Sequence, residues 1–296
     1  MKKHSFGEWM IAVRPWSFPA SAMPVITSIA YLFWKGAEIN WIFGLWALVN
    51  IVIFHAAGNT WSDYFDFRKK VDAEDTFGAK TLTTGMFTEK EIFRLSLSLT
   101  VVATVAGLAL MALTGLPLLW IGLGGVLCTL LYPMLKYNAL GDFVILMAYA
   151  FLPTIGTSFV TTGAIDWSVL LIALPVGLIT DGILHSNNTR DTLTDRRAGI
   201  KTMAMGLGHK ASAILYGFEV IFPYVWIGVL SIIGLMPITT IVIFLTLAVA
   251  IGCAKTMMHS LEGGSGVIAD LDVRTANLQL MFSALLTVAF IVAKFI

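Results

Sequence analysis

Charge is what this chain is short of. Only 12% of its 296 residues are Asp, Glu, Lys or Arg, about half the share of a soluble domain. With 57% of the residues hydrophobic, too little is left to clothe a water-facing surface. The 19 basic and 18 acidic side chains nearly cancel, to +1, so charge balance signals no polyanionic partner and no nucleic acid is expected. Cysteine is scarce as well. Cys128 and Cys253 lie far apart inside apolar runs, which suits packing residues rather than a disulfide or a thiolate metal site. Strict alternation of apolar and polar residues is missing: IVIFLTLAVAIG, residues 241–252, shows none, against a transmembrane β-barrel. A cleaved leader is not expected either, because Ala20-Ser21-Ala22 opens the first apolar run instead of closing it.

What is present is a series of apolar runs near the ~20 residues that cross a bilayer core of ~30 Å. Nine are expected, at 17–34, 41–61, 92–113, 117–135, 141–161, 167–187, 211–233, 237–257 and 275–295. Gly36, Gly115-Leu116-Pro117, Gly163, Gly234 to Pro237 and Gly263 to Gly266 punctuate them. The expected class is all-α, a polytopic membrane bundle in the lipid bilayer. Residues 1–296 read as one domain, since the longest segments outside the spans are about 62–91, 188–210 and 258–274. With the N-terminus in the cytoplasm, 17 of the 19 Lys and Arg residues fall on the cytoplasmic side, and only Lys35 and Lys294 on the other. By the positive-inside rule this sets the orientation, and the expected setting is a bacterial inner (plasma) membrane.

Two acidic stretches, each after an apolar run, stand out on that cytoplasmic side: Asn59–Asp72 (NTWSDYFDFRKKVD) and Asn187–Lys201 (NNTRDTLTDRRAGIK). At helical spacing, His55, Asn59, Asp63 and Asp66 share a face, as do Asp181, His185, Asn188, Asp191 and Asp195. Polar groups inside a membrane are costly unless paired or wetted, so helices that persist through both stretches should turn these stripes toward each other across a cavity. Asp63 with Asp66, and Asp191 with Asp195, are oxygen ligands suited to Mg²⁺, which takes one or two carboxylates plus water and phosphate oxygens. Arg68, Arg190, Lys136 and Lys201 are candidates to neutralise a diphosphate. Lys69, Lys70, Lys80, Lys90, Arg94, Lys210, Arg196 and Arg197 are more simply solvated charges that set topology. Asp181, deeper in its span, and His185 are expected to shape a pocket for a second substrate. Trp61, Tyr64 and Phe65 are candidates to line an apolar groove or to steady a cation.

Four segments resemble the UbiA superfamily of intramembrane prenyltransferases. They are Arg14–Val25 (RPWSFPASAMPV), Asn59–Asp72, Tyr132-x-x-x-Lys136 with Leu140-Gly141-Asp142, and Asn187–Gly208 (NNTRDTLTDRRAGIKTMAMGLG). Within the superfamily the resemblance is to the 1,4-dihydroxy-2-naphthoate polyprenyltransferase branch of menaquinone synthesis. It implies nine helices around a laterally open cavity, and Mg²⁺-dependent transfer of a prenyl group from a polyprenyl diphosphate to an aromatic acceptor. It also implies that Asp63, Asp66, Asp191 and Asp195 bind Mg²⁺–diphosphate, supported by Asn59 and Asn188. Tyr132, Lys136 and Arg14 would contact diphosphate or steady the ionised substrate, and Asp72 matches a later branch aspartate. The chain departs from the pattern at Ser62 (usually Asn), Lys70 (commonly Gly) and Gly206 (usually Arg). Other acceptors of the superfamily, a hydroxybenzoate, a chlorophyllide-like ring or a glycerol phosphate lipid, stay open. So does a secondary transporter, where carboxylates also occur inside the membrane.

Overall fold

The computed structural model describes residues 4–71 and 80–296; Asp72, with Lys2 and Lys3, lies outside them. The helices are α1 (Phe6–Val13), α2 (Pro19–Trp34), α3 (Trp41–Arg68), α4 (Glu89–Thr114), α5 (Pro117–Lys136), α6 (Gly141–Ile145), α7 (Leu152–Thr162), α8 (Leu170–Arg190), α9 (Thr192–Arg197), α10 (Met203–Leu207), α11 (His209–Ile232), α12 (Leu247–Gly263) and α13 (Leu271–Ala293). The described residues form no β-strand; one isolated backbone bridge joins Asn138 to Lys201. Among the described residues eight stretches are long and apolar enough to cross a membrane, as in an integral membrane protein. The ninth expected span is α2, an apolar helix of 16 residues.

Local chemistry sets the ends. The Asn40 side chain caps α3 by accepting from the Phe43 N–H. Thr88 and Glu91 form a reciprocal capping box at the start of α4. Gly115, at φ 124°, ends α4, and Pro117 opens α5 where no N–H is needed. Pro153 offers no N–H to the Tyr149 carbonyl four residues back. The turn before it, Leu146–Phe151, widens to a π-helix, so α6 and α7 run on as one span, Gly141–Thr162. Two of the helices that outrun their expected ends matter for the site. α3 continues from 61 to Arg68 and α8 from 187 to Arg190, carrying both acidic stripes on helical backbone.

Packing is lopsided. The main core joins α2, α8, α11, α12 and α13 through Leu32, Ile179, Tyr216, Tyr224, Phe282 and Phe290. Some of its polar groups pair internally, as Tyr216 with Thr275 (2.6 Å) and Tyr224 with Thr246 (2.7 Å), a pairing that suits hydrocarbon surroundings. By contrast only 6% of the apolar window of α5 is buried, against 56% for the span holding α8. Leu123, Leu127 and Leu130 of α5 point outward, toward lipid if the bundle spans a bilayer. Cys128 and Cys253 are free and unbridged, as expected.

One close approach tests this packing. An added Cβ on Gly177 of α8 would sit 2.6 Å from the Ala150 Cβ, whereas one on Gly58 of α3 meets nothing within 4 Å. Gly177→Ala should cost about 1–3 kcal/mol by overpacking and lower the melting temperature in detergent. Gly58→Ala should hold or raise it.

Candidate active site

The acidic ends of α3 and α8 lie near the C-terminus of α5 at one end of the bundle; the first half is tied down by bases from elsewhere, the second by its own Arg190. Asp63 and Asp66, both buried, project from the last turns of α3. Arg14 donates to Asp63 Oδ1 from the corner between α1 and α2, where its backbone is left-handed at φ 57°. Thr81 donates to the other oxygen at 3.3 Å. Lys136, the last residue of α5, donates to Asp66 Oδ2 at 3.0 Å, and the Tyr137 hydroxyl to Oδ1 at 2.7 Å. Ser62 also donates to Asp66, at 2.9 Å, so the departure from Asn there supplies a shorter donor to the same carboxylate.

In the second half, α8 ends at Arg190 and a new helix, α9, begins at Thr192. Asp191 lies at the break, and Arg190 grips it with both forks, at 2.8 and 2.9 Å. The Arg190 Nη1 also reaches the Ala269 carbonyl at 3.1 Å and lies 3.3 Å from Asp272. Asp195 is buried in α9. Burial pushes its carboxyl up to about 7; the carboxylates of Asp191 and Asp66 add to this, while Lys136 and Arg190 oppose it. Asp66, Lys136 and Asp195 are thus electrostatic neighbours, and the two acidic stretches share one basic side chain. A backbone strap joins them too: Lys201 N–H donates to the Tyr137 carbonyl (3.0 Å) and Ala139 N–H to the Lys201 carbonyl (2.8 Å).

Several expected residues are placed otherwise. Arg68 turns away, 58% exposed, toward Tyr64 (2.9 Å) and Glu89; it follows Asp66 by two positions, on another side of the helix. The Asn59 amide bonds to the Val13 carbonyl and the Ser17 hydroxyl, both at 3.0 Å. His55 is held by Ser17 (3.1 Å) and Ser21 (2.9 Å), so both residues brace the α1–α2 corner. His185 spends both ring nitrogens on α11, at 2.8 Å from Glu219 and from Ser212. Asp181 is 3% exposed, with one oxygen unpaired, and belongs to the electrostatic surroundings of Tyr132 together with Asp66 and Asp142. Asn188 is buried and Lys201 exposed. Trp61 bonds to Thr100 and packs with Tyr64, Phe65 and Phe93, a cluster on α4 rather than a groove. Lys70 has φ 58°, a backbone that favours the glycine it replaces.

Among the described residues no three His, Cys, Asp or Glu side chains converge as a metal cage. The donors fit Mg²⁺ in its other mode, a few carboxylates completed by phosphate and water. Burial is the main cause of the elevated Asp195 carboxyl, and the Asp191 and Asp66 carboxylates add a repulsion that a divalent ion would relieve. Sequence reading missed Tyr137 and Thr81. Tyr137 lies five positions past Tyr132 and off its face, and only the turn ending α5 brings it to Asp66.

Fold and site define an integral-membrane helical enzyme with its charged chemistry gathered at one end of the bundle. The model of the UbiA prenyltransferase family matches residues 21–266, and the chain belongs to this family of prenyltransferases. UbiA prenyltransferase domain-containing protein 1 of Xenopus tropicalis is 33% identical over 235 residues, 77% of this chain and 68% of that protein. The human protein of that name is 32% identical, over 75% and 68%. The Drosophila melanogaster homolog is 35% identical over 73% of this chain and 62% of its own length. In fold, the chain matches a UbiA homolog from Archaeoglobus fulgidus bound to GPP and Mg²⁺, at TM-score 0.64 and 13% identity, covering 94% of this chain and 99% of that one. It also matches digeranylgeranylglyceryl phosphate synthase, at 0.62 and 18%, over 97% and 98%.

Asp195 gives the site a pH signature. Its folded pKa lies above the ordinary carboxylate value, so its contribution to stability is complete below the unfolded pKa, near 4, and is lost as pH rises through about 7. In metal-free protein, Asp195→Asn should therefore raise the melting temperature more at pH 8 than at pH 5. An equal shift at both would show that Asp195 is not held under charge strain.

Proposed function

We propose that the whole chain acts as one domain, transferring a polyprenyl group from its diphosphate to an aromatic acceptor with the help of Mg²⁺. The observation that carries this reading is the sharing of Lys136 by Asp66 and Asp195, which unites the two acidic stretches of a family prenyltransferase. Asp63, Asp66, Asp191 and Asp195 would hold Mg²⁺ and diphosphate between them. When bound, the ion supplies positive charge to the departing diphosphate. Arg14, Lys136 and Arg190 each rest on one of these carboxylates. The same guanidinium and ammonium groups would also be placed to hold phosphate oxygens of a diphosphate bound among these carboxylates. Tyr132, one turn from Lys136, would face the allylic carbon as its C–O bond breaks, its π face steadying the positive charge. The acceptor ring then forms the new C–C bond. The site offers no base already aimed at an acceptor, and an electron-rich ring needs little help.

For the acceptor we read 1,4-dihydroxy-2-naphthoate, which loses its carboxylate as CO₂ and yields demethylmenaquinone. The motif segments Asn59–Asp72 and Asn187–Gly208 support this. Gly206 stands exposed on α10 with nothing near an added Cβ, so the absence of Arg there removes a surface charge and no packing. The gathering of carboxylates at one end of the bundle favours an enzyme over a transporter, whose sites lie near the midplane. The charge count supports a cytoplasmic N-terminus and active site. The bacterial inner membrane rests on that count alone, beside animal relatives.

Asp63→Ala and Asp191→Ala, assayed separately in membranes with Mg²⁺ and a radiolabelled polyprenyl diphosphate, should each lose about 100-fold or more in transfer, the scale of removing one transition-state contact. Near-normal transfer in either variant would end the metal–diphosphate reading. Screening hydroxybenzoate, hydroxynaphthoate and glycerol phosphate lipid acceptors decides the second substrate.

A further inference from the structure

The metal end of the site aims no base at an acceptor, yet a ring hydroxyl that turns into a carbonyl during prenyl transfer must put its proton somewhere. Four titratable side chains from three helices lie outside the metal set: Asp142 of α6, Asp181 and His185 of α8, and Glu219 of α11. None is more than 4% exposed.

Hydrogen bonds fix what the histidine carries. The Thr189 hydroxyl donates to the His185 carbonyl at 2.8 Å, so it accepts at its 2.6 Å contact with Ser212. Ser212 has then spent its one proton, and at 2.8 Å from His185 Nε2 it accepts in turn. Nε2 therefore carries a hydrogen. On the other side of the ring, Nδ1 lies 2.8 Å from Glu219 Oε1, and that bond needs one proton between them. The pair holds it as imidazole with carboxylic acid or as imidazolium with carboxylate.

A second observation is independent of that pair. Neither oxygen of Asp142 has a hydrogen-bond partner, and Asp181 Oδ1 and Glu219 Oε2 have none either. Buried acidic oxygens are costly in that state unless they are protonated or wetted. Charge couples them: Asp181 feels Glu219 and Asp142, Glu219 feels Asp142, and Asp142 feels His185. Asp142 and Asp181 both act on Tyr132 as well, which brings the cluster up to the reacting centre. A Cβ added to Gly141, next to Asp142, would lie 3.3 Å from the Lys136 backbone and 3.4 Å from Leu184, so the start of α6 sits between the end of α5 and α8. Among the described residues no three such side chains converge as a metal cage, which leaves protons to relieve the charge. The other titratable groups around the cluster are Tyr132 and Lys136 of α5, Asp66 of α3, and Tyr216 of α11 with Cys253 of α12 beside it. From α13 comes the neutral Thr275, bonded to Tyr216.

We propose that Asp142, Asp181, Glu219 and His185 form a proton relay, entered at Asp142, that takes the proton of the acceptor's ring hydroxyl during transfer and gives it back afterwards. The proposal rests on the reading of aromatic prenyl transfer. As the ring attacks, the O–H bond beside the attacked carbon breaks and its proton passes to the Asp142 carboxylate. The electron pair left on oxygen forms a carbonyl, and the ring's π pair forms the C–C bond to the allylic cation. CO₂ then leaves the attacked carbon, the pair it leaves behind restores the ring, and the carbonyl oxygen takes the proton back. Coupled groups share a proton rather than assign it to one site, so Asp181 and the Glu219–His185 pair spread the charge while the proton is held.

Full-length protein in nanodiscs with Mg²⁺ is assayed with geranylgeranyl diphosphate and saturating 1,4-dihydroxy-2-naphthoate. Binding of the non-ionising geranylgeranyl thiolodiphosphate is measured in parallel. Asp142→Asn should lower kcat about 100-fold, and Glu219→Gln, which keeps the size of the side chain, about tenfold. In both variants kcat should climb about tenfold or more from pH 6 to pH 9, because the hydroxyl must now ionise to solvent, while the unaltered protein changes less than threefold. Thiolodiphosphate binding should stay within twofold and the melting temperature should hold. Glu219→Gln carries the test should Asp142→Asn disturb the bundle. An unchanged kcat and pH profile in a stably folded variant, or a loss of kcat matched by a loss of thiolodiphosphate binding, overturns the relay while prenyl transfer stands. Transfer to a glycerol phosphate lipid alone, which has no ring hydroxyl, does the same. An unaltered protein that neither binds the thiolodiphosphate nor transfers a prenyl group overturns the relay and the prenyl-transfer reading together.

Discussion

A buried carboxylate is costly without a partner, and this structure brings those of Asp63 and Asp66 from other parts of the chain, while Asp191 is gripped by its own neighbour. Arg14 comes from the α1–α2 corner, Lys136 from the end of α5, Arg190 from the end of α8. Removing one member of such a pair leaves an uncompensated charge, a larger loss than the pair itself is worth. The Arg14–Asp63 and Lys136–Asp66 pairs therefore fix the end of α3 against the α1–α2 corner and the end of α5, while Arg190 ties the end of α8 to Ala269 and Asp272 at the start of α13. The same pairs keep bases within reach of any phosphate that arrives with its own metal ion.

The lopsided packing divides labour between the two sides. Helices α2, α8, α11, α12 and α13 bury aromatic and branched residues, with the Tyr216 and Tyr224 hydroxyls paired to threonines. They form a rigid frame on which Asp181, His185 and Asp191 are mounted. The side built from α4 and α5 buries little and holds an apolar cavity. Close packing resists insertion of even one methylene, so a site for a long flexible substrate belongs where packing is already incomplete.

Much of the bundle was legible because twenty-residue apolar runs have few other uses. Nine runs became eight long helices and the shorter α2, and the carboxylates were found from their spacing on helical faces. What the spacing could not give was direction across the bundle. His55 and His185 share stripes with the aspartates, yet both turn to serine and carboxylate partners on neighbouring helices. Arg68 sits beside Asp66 in sequence and on another side of α3. Tyr137 was hidden because a residue past the end of a helix obeys no helical period.

The strap between residues 137–139 and Lys201 is short, two hydrogen bonds around a left-handed Ala139. It closes a loop of more than sixty residues, and the entropy of that closure is settled once, when the chain folds. Without it, the first substrate would have to draw the α5 end and the second acidic stretch together at every encounter, and its affinity would fall by that amount. The strap thus makes two loops behave as one preorganised surface, so that contacts made on either half are felt as rigidity by the other.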